Sequence, residues 1–348
     1  MAGAIQASTR YTHPMDIVTQ ALLGASTAGV VATPRERRMA LVVGAIAGML
    51  PDADTLIRSD RDPLLFLEYH RHFTHSLVFI PVGGLVAALL LWWFFRHSLT
   101  FGRLTLYAVA GIGCAGLLDA CTSYGTHLFW PFTPEPVAWH LLAIVDPVIT
   151  LSLVVGIVLA ARGRTATPLV LALTVSVAYL GFAWAQQQRA RQALASVVET
   201  RGHQPTAVIV KPTLGNVLVW RGVYRWEGRL YADAIRAGWG DGICVVPGAS
   251  APLVSVGPLE PREWARFAAR LSRFAGGYVV AHPNLPGAIG DARFAMLPGS
   301  VRPLWGVRPD PKTGASYFTD RRLSAEGRER FLGLISGCIG TPVSKRSE

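Results

Sequence analysis

The segment His70-Arg71-His72-Phe73-Thr74-His75-Ser76 runs directly into Leu77-Val78-Phe79-Ile80-Pro81-Val82-Gly83-Gly84, and the apolar run continues to Phe95. Residues 76–95 carry only apolar and small side chains, over a length that crosses a bilayer. Upstream, Pro51-Asp52-Ala53-Asp54 stands at the same kind of junction between an apolar stretch and a polar loop. Carboxylates and imidazoles are costly at the edge of a bilayer, and where they occur together a bound metal is the simplest account.

The rest of the chain agrees with a membrane setting. Of 348 residues, 51% are hydrophobic and only 16% charged, with a mean hydropathy of +0.35. That is too apolar for an ordinary soluble domain and predicts several spans plus a soluble part. The net charge of +11 is mostly Arg, scattered and concentrated outside the apolar stretches. Loop charge and attraction to anionic membrane lipids account for it, and no specific nucleic-acid partner is expected. The first 16 residues show no basic region followed by an apolar core, so no cleavable signal is read there.

Apolar stretches fall at about 17–33, 39–50, 76–95, 104–121, 142–161 and 168–185. The fold class expected is a mostly α membrane protein, a bundle of about 5–6 transmembrane helices followed by a small α+β domain. The first two stretches are short and rich in Gly and Ala, the composition of a close-packed helical hairpin. Domain one is read as residues 1–186 and domain two as 187–348. The second holds a polar helix at about 186–200, short alternating runs such as Ala207-Val208-Ile209-Val210 and a helix at 260–274.

Arg35, Arg37, Arg38, Arg96, Arg103, Arg162 and Arg164 lie in alternate loops. Positive-inside logic puts those loops in the cytoplasm. The 51–75 and 119–141 loops and the C-terminal domain then face outward. On that orientation Asp16, Asp52, Asp54, His70, His75, Asp119 and Asp146 share one layer at the outward ends of the spans. Cys114 and Cys121 are read as packing residues, whereas Cys244 and Cys338 could pair in an extracytoplasmic domain.

A divalent metal at neutral pH needs deprotonated oxygen or nitrogen ligands. Asp52 and Asp54 can converge on one centre from an irregular turn after Pro51, although Pro and Asp also favour plain turns. His72 and His75 would share a helical face at i, i+3, with His70 reaching in from before the helix. Thr74 or Ser76 could cap that helix. Arg71 is suited to a phosphate or a carboxylate. Asp119, inside Leu117-Leu118-Asp119-Ala120, is expensive unless paired or coordinated. Asp146-Pro147 is equally a helix cap, and His127 and His140 read as interface residues.

Met15-Asp16-Ile17-Val18-Thr19-Gln20, the Pro51–Asp54 string, His70 to Ser76, Leu117-Leu118-Asp119 with Thr122-Ser123-Tyr124-Gly125-Thr126, Pro131-Phe132 and Ile144-Val145-Asp146-Pro147 occur in that order. As an ordered set they resemble the bacterial membrane-bound metal-dependent hydrolase family, YdjM-like, some members of which are LexA-regulated. The resemblance is dense over about 15–155 and continues weakly at 216–221. It implies metal ligands Asp52, Asp54, His70, His75 and Asp119, supported by Asp16 and Asp146. It also implies metal-activated water attacking a phosphoester or lipid-like substrate, with zinc the expected cofactor and manganese the alternative. Asp54 or Asp119 would be the general base, and Arg71 would hold the phosphate.

Two positions depart from the family pattern. Where the family commonly has His, four residues before Asp119, this chain has Ala115, so a ligand is missing or His72 or His127 replaces it. Gln20 stands where some relatives carry His. Two non-catalytic readings compete: an ion or proton carrier, and a scaffold or sensor whose metal staples the helices. A carrier needs polar residues at mid-span and on both sides, whereas here they gather at one end.

Overall fold

Small residues set the first packing event. In the computed structural model, which describes residues 17–59, 61–238, 242–255, 262–337 and 341–342, helices α1 (Ile17–Val31) and α2 (Arg37–Met49) form an antiparallel hairpin. A Cβ on Gly44 would lie 2.2 Å from the Gly24 carbonyl oxygen, so the two backbones meet directly. Arg37 closes the hairpin: its guanidinium donates to the carbonyls of Gly29, Ala32 and Arg164. It thereby satisfies C-terminal carbonyls that no helix can bond internally.

Helices α3 (Leu65–Tyr69), α4 (Phe79–Phe95), α5 (Phe101–Ile112) and α6 (Ala115–Ala120) follow, then α7 (Pro147–Gly163) and α8 (Thr167–Thr200). Three segments are long and apolar enough to cross a membrane: Arg37–Leu56, Phe101–Ala120 and Thr167–Thr200. Leu65–His75 with Phe79–Phe95 makes a fourth apolar passage, bent by 90°. The expected count of 5–6 is not reached by length among the described residues. Ile17–Val31 has 15 residues and Pro147–Gly163 has 17, and at ~1.5 Å per residue each falls short of a hydrocarbon core of about 30 Å.

The third stretch differs from its sequence reading. Its helix begins at Phe79 rather than Ser76, and His72 and His75 share no helical face. Arg71 sits at φ 60°, in the left-handed region, and only Phe73–His75 forms a short 3-10 turn before the chain bends. The side chains of this segment are held by polar partners rather than by helix periodicity.

The 34-residue α8 is one continuous helix, so a boundary at 186/187 falls within it. Its first half is apolar; its second half packs Ala190, Ala193, Leu194 and Val198 against Trp220 and Ile235 of the sheet. Gln186 and Gln187 mark the change, donating to Ala237 O and to Trp139 O, His140 O and Val210 O.

The C-terminal region holds two antiparallel sheets. Strands β1 (Ala207–Pro212), β2 (Val219–Trp226), β3 (Arg229–Ala237) and β4 (Ile243–Val246) pair in sequence order, β5 (Ser250–Pro252) adds to β3, and β10 (Thr341–Pro342) adds to β4. Strands β6 (Val279–Ala281), β7 (Ile289–Asp291), β8 (Trp305–Asp310) and β9 (Gly314–Thr319) form the second sheet. Helix α9 (Arg262–Phe274) packs on that sheet, close to the expected 260–274, and α10 (Ala325–Ser336) packs near β2 and β3. Cys244 is disulfide-bonded; Cys338 lies outside the described residues. Cys114 and Cys121 are free thiols, and Cys121 packs with Leu142, Ile149 and Leu153.

One contact decides where the sheets sit. Leu64 and, on α3, Phe66 and Leu67, just before His70, share a core with Trp264, Leu271 and Trp305. Arg270 of α9 reinforces it, donating to Glu68 at 2.7 and 2.8 Å and to Asp62 at 3.0 Å. The sheet region therefore roofs the end of the bundle that carries the Asp and His residues.

Candidate metal centre

The Pro51 turn brings two carboxylates inward. Leu50–Leu56 is a 3-10 segment continuing from α2, and Asp52 and Asp54 are 6% and 2% exposed. Their spacing of two would diverge on an α-helix; on this tighter, irregular turn both reach the interior.

Asp54 organises the histidine segment. Its Oδ1 accepts from His70 Nδ1 at 2.7 Å, and its Oδ2 accepts from the Arg71 amide at 2.9 Å and the Thr74 hydroxyl at 2.8 Å. His75 Nδ1 stands 3.3 Å from the same Oδ2. The left-handed Arg71 is what aims that amide at the carboxylate. His70 is further clamped by Phe66, stacked at 5.4 Å, and by Tyr124 edge-on at 5.6 Å.

Asp119 arrives on α6. Its Oδ2 lies 3.0 Å from His75 Nε2, and its Oδ1 pairs with Arg71 Nη2 at 3.0 Å. Arg71 also donates to the Thr122 hydroxyl at 2.6 Å. Close approach of α6 depends on Gly116, where a Cβ would lie 2.1 Å from the His75 carbonyl oxygen.

Two donor groups result: Asp52, Asp54 and His70, and Asp52, His75 and Asp119, each with ligand atoms within 4.8 Å of one another. Asp52 belongs to both. Asp52 Oδ2, His70 Nε2, His75 Nε2 and Asp119 Oδ2 are buried and make no well-formed hydrogen bond among the described residues, His75 Nε2 and Asp119 Oδ2 standing 3.0 Å apart without hydrogen-bond geometry. A buried polar atom left unpaired costs about 1–3 kcal/mol, so such atoms in two donor groups that share Asp52 call for a ligand. Two imidazole nitrogens and carboxylate oxygens are a donor set for a borderline or hard divalent cation, and the residues fit one. Asp54 has the form of an outer carboxylate that orients a ligating imidazole.

The other expected residues are distributed differently. Gln20, Arg71, Asp52, Asp119, Thr122 and Asp146 line a small cavity of about 20 Å³ beside the cluster, room for about one water. Asp146 caps α7, accepting from the Val148 and Ile149 amides, and takes a hydrogen bond from Tyr179. His72 and His127 belong to neither donor group; their rings pack on each other at 4.4 Å, near Trp130. Burial, then the His72 charge, pushes His127 down to about 4, which suits a neutral interface imidazole. Asp16 lies outside the described residues. Thr122, Tyr124 and Gly116 were not singled out as contributors to the site. Their signal was present only as adjacency to Asp119.

Residues 15–190, just over half of the chain, match the sequence model of the YdjM inner membrane protein family. The Bacillus subtilis (strain 168) protein YfhP, described as uncharacterized, is 26% identical over 145 residues. That match covers 40% of this chain and 44% of YfhP, so the chain matches less than half the length of this curated relative. No solved structure matches. The family match contains every member of both donor groups, α1 to α7 and the apolar half of α8, and the chain belongs to the YdjM inner membrane protein family.

Proposed function

We propose that this protein is a metal-dependent hydrolase of the inner membrane, acting on a phosphoester or lipid-like substrate. The observation that carries the reading is the set of buried donor atoms of Asp52, His70, His75 and Asp119 that make no hydrogen bond, in two donor groups that share Asp52. Zinc is the first expectation and manganese the second. The cation would supply Lewis acidity, bringing a water toward ionisation at neutral pH and stabilising the developing oxyanion.

The residues divide the remaining work. Asp52, His70, His75 and Asp119 hold the cation. Asp54 keeps the His70 proton on Nδ1, so that Nε2 faces inward as a lone pair. Its oxygens are spent on that task, and those of Asp119 face the cation and Arg71, so neither carboxylate is free to act as general base. Arg71, lining the cavity and braced by Asp119 and Thr122, orients a phosphate. With His72 and His127 turned to each other, neither supplies the imidazole that Ala115 omits, and the ligand set is complete without it.

The site and the sheet region share one end of the bundle, and we place that end outside the cytoplasm. The arginine distribution supports this, as does the disulfide at Cys244, since disulfides persist in oxidising compartments. Elemental analysis of the detergent-purified protein tests the centre. The wild type should carry at least one equivalent of zinc or manganese, absent from Asp52→Ala/His75→Ala, and should hydrolyse a phosphoester in a lipid screen. A metal-free wild type after reconstitution and dialysis would refute the proposal.

A further inference from the structure

A second cavity, of about 290 Å³, opens between loops at the site end of the bundle and the sheets. Leu142, Ala143 and Ile144 line it and also line the cavity beside Asp52 and Asp119, so one strip of chain separates the two. Its walls are mostly apolar, and the residues that line it include three cations, Lys211, Arg221 and Arg293, but no Asp or Glu.

Two of the cations are already committed. Arg293 forms a fork with Asp291, Nη2 to Oδ2 at 2.7 Å. Arg221, 2% exposed, donates to the carbonyls of Pro298 and Ala292. Lys211 is not committed. It is 8% exposed, its Nζ stands 3.5 Å from the centre of the Phe294 ring, and it has no hydrogen-bond or carboxylate partner among the described residues. Three basic side chains line an apolar chamber, and of the three only Arg293 has a carboxylate at salt-bridge distance among the described residues. Burial, then Arg221, holds the Lys211 ammonium well below the usual lysine range. Its neighbour His140 is pushed down to about 3 by burial and by the Lys211 and Arg293 charges. Cations this costly to bury are retained where an anion joins them. A phosphate would favour the protonated Lys211 amine and offset the buried guanidiniums, and apolar walls suit an aliphatic chain.

We propose that this cavity binds a phosphate-bearing amphiphile, its phosphate against Lys211 and its chain along the apolar wall. If the hydrolase reading holds, the chamber is the place for the anionic part of the substrate or product across Leu142–Ile144; binding itself does not require hydrolysis.

The test is calorimetric titration of the full-length protein, in an uncharged maltoside detergent, with dodecyl phosphate. Inorganic phosphate and dodecanoate serve as comparators. Wild type and Asp52→Ala/His75→Ala should both bind dodecyl phosphate saturably, with inorganic phosphate and dodecanoate far weaker. Lys211→Met should weaken binding by roughly tenfold or more, the loss of a charge-assisted hydrogen bond. Ala295→Trp, which fills the chamber and leaves every cation, should also weaken it; it decides the matter if Lys211→Met does not elute as folded protein. No saturable binding, binding unmoved by either variant, or dodecanoate binding as tightly as dodecyl phosphate would overturn the proposal. A metal-free wild type that still binds dodecyl phosphate would refute the hydrolase reading and leave this one standing.

Discussion

Replacing Asp54 by Asn should remove the metal without removing the fold. In the wild type, Oδ2 accepts from the Arg71 amide and the Thr74 hydroxyl, and Oδ1 accepts from His70 Nδ1. The Arg71 backbone amide cannot turn away, so the Asn carbonyl must take the Oδ2 position and its amide must face His70. His70 can then accept through Nδ1 only by moving its proton to Nε2. Every hydrogen bond survives, but the atom that should hold the cation now carries a proton. Loss of an orienting partner of this kind costs roughly 10–100-fold in metal affinity, about 1.4–2.7 kcal/mol. Asp54→Ala is the contrast: it strands three buried donors at ~1–3 kcal/mol each, a large fraction of a typical total stability of about 5–15 kcal/mol. The assay pairs a chelator competition for zinc with melting of the metal-free protein. For Asp54→Asn, weaker metal and an unchanged metal-free Tm are expected. Wild-type metal affinity, or a metal-free Tm that falls as far as in Asp54→Ala, would refute the tautomer argument.

Further outcomes follow from the packing. Gly116→Ala places a Cβ 2.1 Å from the His75 carbonyl, so α6 must retreat and carry Asp119 away from His75; metal affinity should fall along with ~1–3 kcal/mol of stability, while Gly102→Ala, with nothing within 4 Å, should change neither. Gly44→Leu should part the α1–α2 hairpin and abolish monodisperse protein on size-exclusion chromatography, whereas Gly181→Leu, in open space, should elute as wild type. Acid should loosen the second sheet. Burial lowers His282 below its ordinary 6.5, so the folded form binds protons less readily than the unfolded one, and stability complete above 6.5 declines as pH falls toward the lowered value. Burial raises its partner Asp320, but hydrogen bonds and charge from Arg322 and Arg302 outweigh it and hold the carboxyl below 3.8, so a second loss begins only under that pH. Hydrogen exchange across β6–β9 at pH 7 and pH 5 should show the first loss, and His282→Gln should remove its pH dependence.

The membrane character, the Gly-rich hairpin and the five members of the Asp/His cluster were legible in the sequence. Apolar length, small-residue composition and the cost of ionisable groups at a bilayer edge are properties of local sequence, and they act before any tertiary contact forms. The 260–274 helix was legible for the same reason: its apolar period is its own. His72 was misplaced because a periodic reading assumes a helix. The polar partners of Asp54, and the left-handed Arg71 that turns an amide toward it, hold the segment as a bent turn instead. Asp146 was ambiguous between cap and ligand until Val148, Ile149 and Tyr179 were found sharing its oxygens. The change of character near 186 was legible, but not the continuity of α8, because one unbroken helix runs from an apolar first half to a second half packed on a sheet. Which donors lack hydrogen bonds, and which cations face a chamber with no carboxylate, depends on residues far apart in the chain meeting in space. Composition determined that this protein lies in a membrane with an ionisable edge; only tertiary packing decided which of those ionisable groups were left without partners.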